Sequence, residues 1–98
     1  MNSQSRKTIV IEYCTGCRWL LRSSWMAQEI LTTFEKECIE VCLRPCPDQA
    51  GHFQVLSDQC LIWCRKRDQG FPELKILKQK IRDHIAPDKD LGHSDSES

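Results

Sequence analysis

The 98-residue sequence predicts a small α/β sandwich of order β-α-β-β-β-α, a mixed four-stranded sheet with two helices. Three observations carry this. A β-branched run, "KTIVIEY" (7–13), leads straight into a stretch of helical apolar period. Three further short apolar runs follow, separated by turn residues. A last amphipathic segment sits between Pro72 and Pro87.

In the first run Ile9 and Ile11 face one side and Val10 and Glu12 the other, the pattern of a strand buried on one face. Thr15-Gly16 breaks it. Leu20, Ser24, Ala27, Leu31 and Phe34 then recur at steps of four and three, widened by Leu21 and Ile30, which predicts a helix over 17–35. In "CIEVCLRPC" (38–46), Ile39, Val41 and Leu43 alternate with Cys38, Glu40, Cys42 and Arg44, a second strand ended near Pro45. "HFQVLS" (52–57) and "CLIWCR" (60–65) are the third and fourth, joined as a hairpin by Asp58-Gln59 without a glycine. Pro72 suits the first position of a helix whose stripe is Leu74, Leu77, Ile81 and Ile85. A strand, a helix and a strand form a right-handed unit with parallel strands. The remaining strands extend the sheet as a meander, giving a two-layer sandwich of the thioredoxin-like kind. Residues 1–87 make a single domain, and 88–98 a polar tail expected to be mobile.

Lysine plus arginine balances aspartate plus glutamate at 14 each, so no overall field draws the chain to nucleic acid or anionic membrane. No apolar run reaches the roughly 18–20 residues that span a bilayer, and the N-terminus lacks the long apolar core of a signal peptide. A cytoplasmic protein is expected.

Seven cysteines are many for this length, and the number is odd. In a reducing compartment, Cys14-Thr15-Gly16-Cys17 points to exchange chemistry or metal rather than to a structural disulfide. Placed where a strand passes into a helix, its sulfurs would meet unpaired N–H groups and partial positive charge, which stabilise a thiolate. Arg18 and Arg22 would add to this if they turn toward the sulfurs. Cys38, Cys42 and Cys46 and the pair Cys60 and Cys64 repeat every four residues, but on strands such positions lie ~13 Å apart, too far for one zinc ion or one disulfide. A cross-strand pair such as Cys42 with Cys64 stays open. His52, His84 and His93 are not spaced as a metal set, so neither metal nor resident cofactor is expected. Trp19 and Trp25 read as packing, although an exposed first-helix face bearing them would suit a homodimer. Arg65-Lys66-Arg67 reads as a solvated loop, with binding of an anion such as a glutathione carboxylate as the alternative.

"IEYCTGCRWLLRSSWMAQEILTTF", "GHFQV", "IWCRKRDQGFPELKILKQKIRDHIAP" and "LGHSDSE" together closely resemble the bacterial selenoprotein-W-like proteins of the Rdx group, which also holds selenoproteins W, T and H. The resemblance implies a thioredoxin-like fold and a redox role, with glutathione as the suggested co-substrate. Cys17 stands where the selenium-containing members carry selenocysteine. Gln59 departs from the usual hairpin glycine, Asp68-Gln69-Gly70 from the usual Asp-Gly-Gly, and no proline is evident opposite the motif. The leading expectation is a thiol–disulfide oxidoreductase or redox-responsive protein acting through Cys14 and Cys17 on glutathione or protein thiols, with the order of attack open. The alternatives are a non-catalytic interaction module controlled by oxidation of that pair, and a structural zinc protein.

Overall fold

The computed structural model describes residues 6–92. Strand β1 (Thr8–Tyr13) leads through a turn into helix α1 (Leu20–Thr33), followed by a short 3-10 turn (Glu35–Glu37) and β2 (Glu40–Pro45). Strands β3 (Phe53–Ser57) and β4 (Cys60–Cys64) form a hairpin, and the one-turn α2 (Arg65–Asp68) precedes α3 (Leu74–Ile85). The sheet order is β2-β1-β3-β4, with β1 and β2 parallel and the other neighbours antiparallel. This is the thioredoxin-like arrangement predicted from the order of elements. No helix among the described residues is long and apolar enough to cross a membrane.

Alternation along β1 works as predicted. Ile9 and Ile11 are fully buried, and with Tyr13, Phe53, Val55 and Ile62 they form the sheet side of one core. Met26, Ala27, Ile30 and Phe34 of the first helical region and Leu77 and Ile81 of α3 form the other side. Both long helices therefore lie on one face of the sheet. The opposite face carries Val10, Glu12 and Gln54, which are half-buried, and Cys42 and Arg44, which are exposed.

Helix α1 departs from its expected span and phase. It begins at Leu20, because Thr15–Arg18 forms a turn in which Arg18 N–H donates to Thr15 O at 3.0 Å and Arg18 takes φ +64°. The buried residues are Ser23, Met26, Ala27 and Ile30, with Phe34 just beyond the helix, so the inward arc is rotated by about 60° from the leucine-rich stripe at 100° per residue. Leu20, Leu21 and Leu31 are 51%, 84% and 42% exposed. The largest hydrophobes misled the pattern: serine, methionine and alanine fill the narrow space over the sheet. Of the two tryptophans expected to pack, Trp19 rests against the core, whereas Trp25 is 48% exposed.

Other boundaries differ by smaller steps. Helix α3 starts at Leu74 with Glu73 as its N-cap, leaving Pro72 outside it and buried. Arg65-Lys66-Arg67 is the body of α2 rather than a loop, and Cys64 N–H is held by Asp68 Oδ2 at 3.0 Å. The hairpin turn works without glycine because Asp58 and Gln59 both adopt left-handed backbone, φ +50° and +75°, the signs a type I′ turn requires. Asp58 further ties the turn to β1 by donating its N–H to Thr8 O at 3.2 Å. Within the expected tail, Lys89 pairs with Glu37 at 3.3 Å and Leu91 packs on the core, while residues 93–98, His93 among them, lie outside the described residues.

Three stability outcomes follow from these environments. Phe34→Ala should cost about 3–5 kcal/mol in urea unfolding, whereas Leu21→Ala should stay within about 0.5 kcal/mol. Gln59→Gly, by relieving a side chain from left-handed backbone, should raise stability by about 1 kcal/mol in the same measurement.

Candidate functional site

Strand β1 ends at Tyr13 and delivers Cys14 to the surface end of the sheet; Cys14 is only 2% exposed, and Cys17 is half-buried. The turn between them brings Cys17 N–H to Cys14 Sγ at 3.2 Å, and the Cys17 side chain also hydrogen-bonds that sulfur. A Cβ at Gly16 would meet nothing within 4 Å, and Gly16 is not among the residues at positive φ, so the turn does not depend on glycine as the sequence had suggested.

The two thiols have their pKa values pushed apart. The hydrogen bond from Cys17 lowers the Cys14 pKa, helped against burial by the backbone of Gly51, Cys17 and Gly16. The same hydrogen bond raises Cys17, opposed by the Gly51 backbone and by the charge of Arg65. Cys14 is therefore the sulfur that ionises first, and Cys17 is the donor beside it.

The groups that stabilise the thiolate differ from those expected. The motif precedes the first turn of α1 instead of occupying it, so the stabilising amides belong to the motif turn and to Gly51. Arg22 lies over the Phe71 ring at 4.2 Å, and Arg18 lines a shallow groove with Tyr13, Thr15, Leu20 and Leu21. The cation that reaches the pair is Arg65. Its guanidinium stacks over Trp19 at 5.0 Å and donates to Gly51 O at 3.2 Å, holding the β2–β3 loop against the motif. Trp19 in turn meets Phe71 edge-on at 4.8 Å. Gly51, at φ +75°, presents its backbone to both motif sulfurs. Sequence reasoning missed Gly51, for which the "GHFQV" segment of the resemblance was the signal, and read Arg65 as a solvated loop residue or an anion binder without tying it to the motif.

The remaining cysteines separate by position. Cys38, Cys42 and Cys60 are exposed. The open pairing of Cys42 with Cys64 fails, because β2 and β4 are opposite edges of the sheet, three strand spacings or ~14 Å apart. Cys46 differs: it is buried just past the end of β2, where its N–H continues the parallel ladder to Tyr13 O at 2.8 Å. Its thiol is raised by burial and by the charge of Glu12. Glu12 Oε1 meets His52 Nε2 at 2.8 Å, and Glu12 Oε2 accepts from Arg44 at 2.8 Å. Burial would raise the Glu12 carboxyl, but the bonds from His52 and Arg44 outweigh it and hold it below its ordinary value. Glu12, Cys46 and His52 thus present one oxygen, one sulfur and one nitrogen within 4.8 Å of one another, a grouping that the spacing of the histidines gave no reason to expect.

Fold and site together define a small thioredoxin-like domain with a contacting Cys-x-x-Cys pair at the end of its central strand. The chain belongs to the Rdx family, whose model matches residues 8–83. It is similar to a Bordetella parapertussis protein of known crystal structure, at 47% identity and TM-score 0.78 over 83% of this chain and 100% of that one. It is likewise similar to the crystal structure of a selenoprotein W-related protein from Vibrio cholerae, at 46% identity and TM-score 0.76 over 83% and 99%. Comparison with curated proteins finds no match. Family membership and the Cys14–Cys17 pair point to a redox-related function.

Because Arg65 both lowers Cys17 and fixes Gly51, Arg65→Gln should slow alkylation of Cys17 at neutral pH and move its rate–pH curve to higher pH. Arg18→Gln should leave that curve in place. Peptide-resolved labelling by mass spectrometry checks both.

Proposed function

We propose that the chain is a thiol–disulfide redox protein in which Cys14 and Cys17 act as one pair on glutathione or protein disulfides, in a reducing compartment such as the cytoplasm. The single observation that carries this reading is the 3.2 Å hydrogen bond from Cys17 N–H to Cys14 Sγ, which holds the two cysteines in one tight turn, placed to close a disulfide. Seven free thiols suit such a compartment.

Access favours one order. Cys17 is the half-buried sulfur that an incoming disulfide can reach, and the Cys14 thiolate beside it accepts its proton. The Cys17 thiolate attacks one sulfur of the disulfide, forming a mixed disulfide and expelling one thiolate, which takes the proton now on Cys14. Cys14, again a thiolate, attacks the Cys17 sulfur, closes the Cys14–Cys17 disulfide and expels the second thiolate, which is protonated from solvent. Two electrons pass from the pair to the substrate.

A second reading uses the same pair as a switch for docking a protein partner without turnover. The exposed Leu20 and Leu21 beside the motif favour it. Steady-state reduction of a model disulfide separates the two readings, since the switch gives none.

In glutathione buffers of graded potential, the wild-type chain should lose two mass units between roughly −180 and −300 mV. Cys14→Ser, which keeps the accessible sulfur, should trap one glutathione, and Cys17→Ser far less. Intact mass showing both sulfurs reduced throughout, with no adduct in either variant, would defeat the redox reading.

A further inference from the structure

We propose that Glu12, Cys46 and His52 form a divalent transition-metal site, best suited to zinc, at the base of the β2–β3 loop. Three donor types converge there from three strand ends. Glu12 lies on β1, Cys46 just after β2, and His52 just before β3, and their donor atoms lie within 4.8 Å of one another. One thiolate, one imidazole and one carboxylate are the ligands that zinc takes, and three of them leave a fourth position open.

The geometry needs only small adjustments. Tetrahedral zinc at about 2.0–2.3 Å from each donor sets the donors about 3.3–3.8 Å apart. An ion would thus draw Cys46 inward by up to about 1 Å and part His52 from Glu12 by roughly half an ångström. The 2.8 Å contact between His52 Nε2 and Glu12 Oε1 already aims both groups at one point. Arg44 grips the other carboxylate oxygen at 2.8 Å, fixing Glu12 as an outer-shell partner fixes a ligating carboxylate. Cys46 is buried, and its thiol makes a long 3.7 Å contact with Arg44 O, a bond readily given up to an ion. Loading releases the Cys46 thiol proton, together with any proton held between His52 and Glu12, to solvent.

The site uses neither motif cysteine, although Cys46 lies close enough to Cys14 to feel its charge, and it does not depend on the redox reading, so its test uses the metal alone. Cobalt(II) is titrated into the reduced, metal-free full chain, and zinc is then added to compete. The expected result is a saturable thiolate-to-cobalt charge-transfer band at one ion per chain, displaced by zinc. The band should vanish in Cys46→Ser and persist in the Cys14→Ser/Cys17→Ser double variant. In His52→Gln, which tests the site even if Cys46→Ser misfolds, affinity should fall by more than the about 100-fold that loss of an outer-shell partner can cost. The proposal is overturned by the absence of a saturable band in the wild type. It is equally overturned by a band that survives Cys46→Ser or His52→Gln unchanged, or that disappears with the motif cysteines.

Discussion

The two-sided pairing of β1 is the constraint on which the rest depends. It is hydrogen-bonded to β2 in parallel and to β3 in antiparallel fashion, while Ile9, Ile11 and Tyr13 anchor its inner face. A strand held in this way cannot slip by one residue without turning three core side chains outward. The parallel strands β1 and β2 finish at the same end of the sheet, and antiparallel β3 begins there. Cys14, Cys46 and His52 are brought together by that topology alone, across as many as 38 positions of sequence.

How legible this was depended on the range of the interactions. Strand faces and the order of elements were readable, because alternation reports burial directly, as Ile9 and Ile11 show. The phase of α1 was not. Which arc faces a sheet is set by the space above it, and Ser23 and Met26 occupy places that the apolar period assigns to Leu21 and Leu31. The motif itself was legible from four residues. Its surroundings were not, since Arg65 and Gly51 act through tertiary contacts that no local pattern encodes. His52 is the clearest case. Histidine spacing says nothing about a partner 40 positions earlier on the adjacent strand.

At the motif, ionisation and access are divided between two atoms. The sulfur whose pKa is lowered is the covered one, and the reachable sulfur has its pKa raised. A resting thiolate in the open would meet every oxidant in solution, whereas a covered one reacts only after its neighbour has been engaged. Arg65 ties this arrangement to the aromatic floor of Trp19 and Phe71, so the electrostatics rest on packing as much as on charge.

The loop between β2 and β3 has a further consequence. Its two ends carry Cys46 and His52, and Gly51 turns its backbone toward the motif sulfurs. One short segment thus belongs to both places. An ion at the proposed site would fasten the base of the loop and with it the dipole facing Cys14, and a thiolate that draws Gly51 inward would steady the base. Linkage between two sites is reciprocal in free energy, so neither can be tuned without altering the other. In this fold, metal supply and sulfur chemistry would be two readings of the same loop.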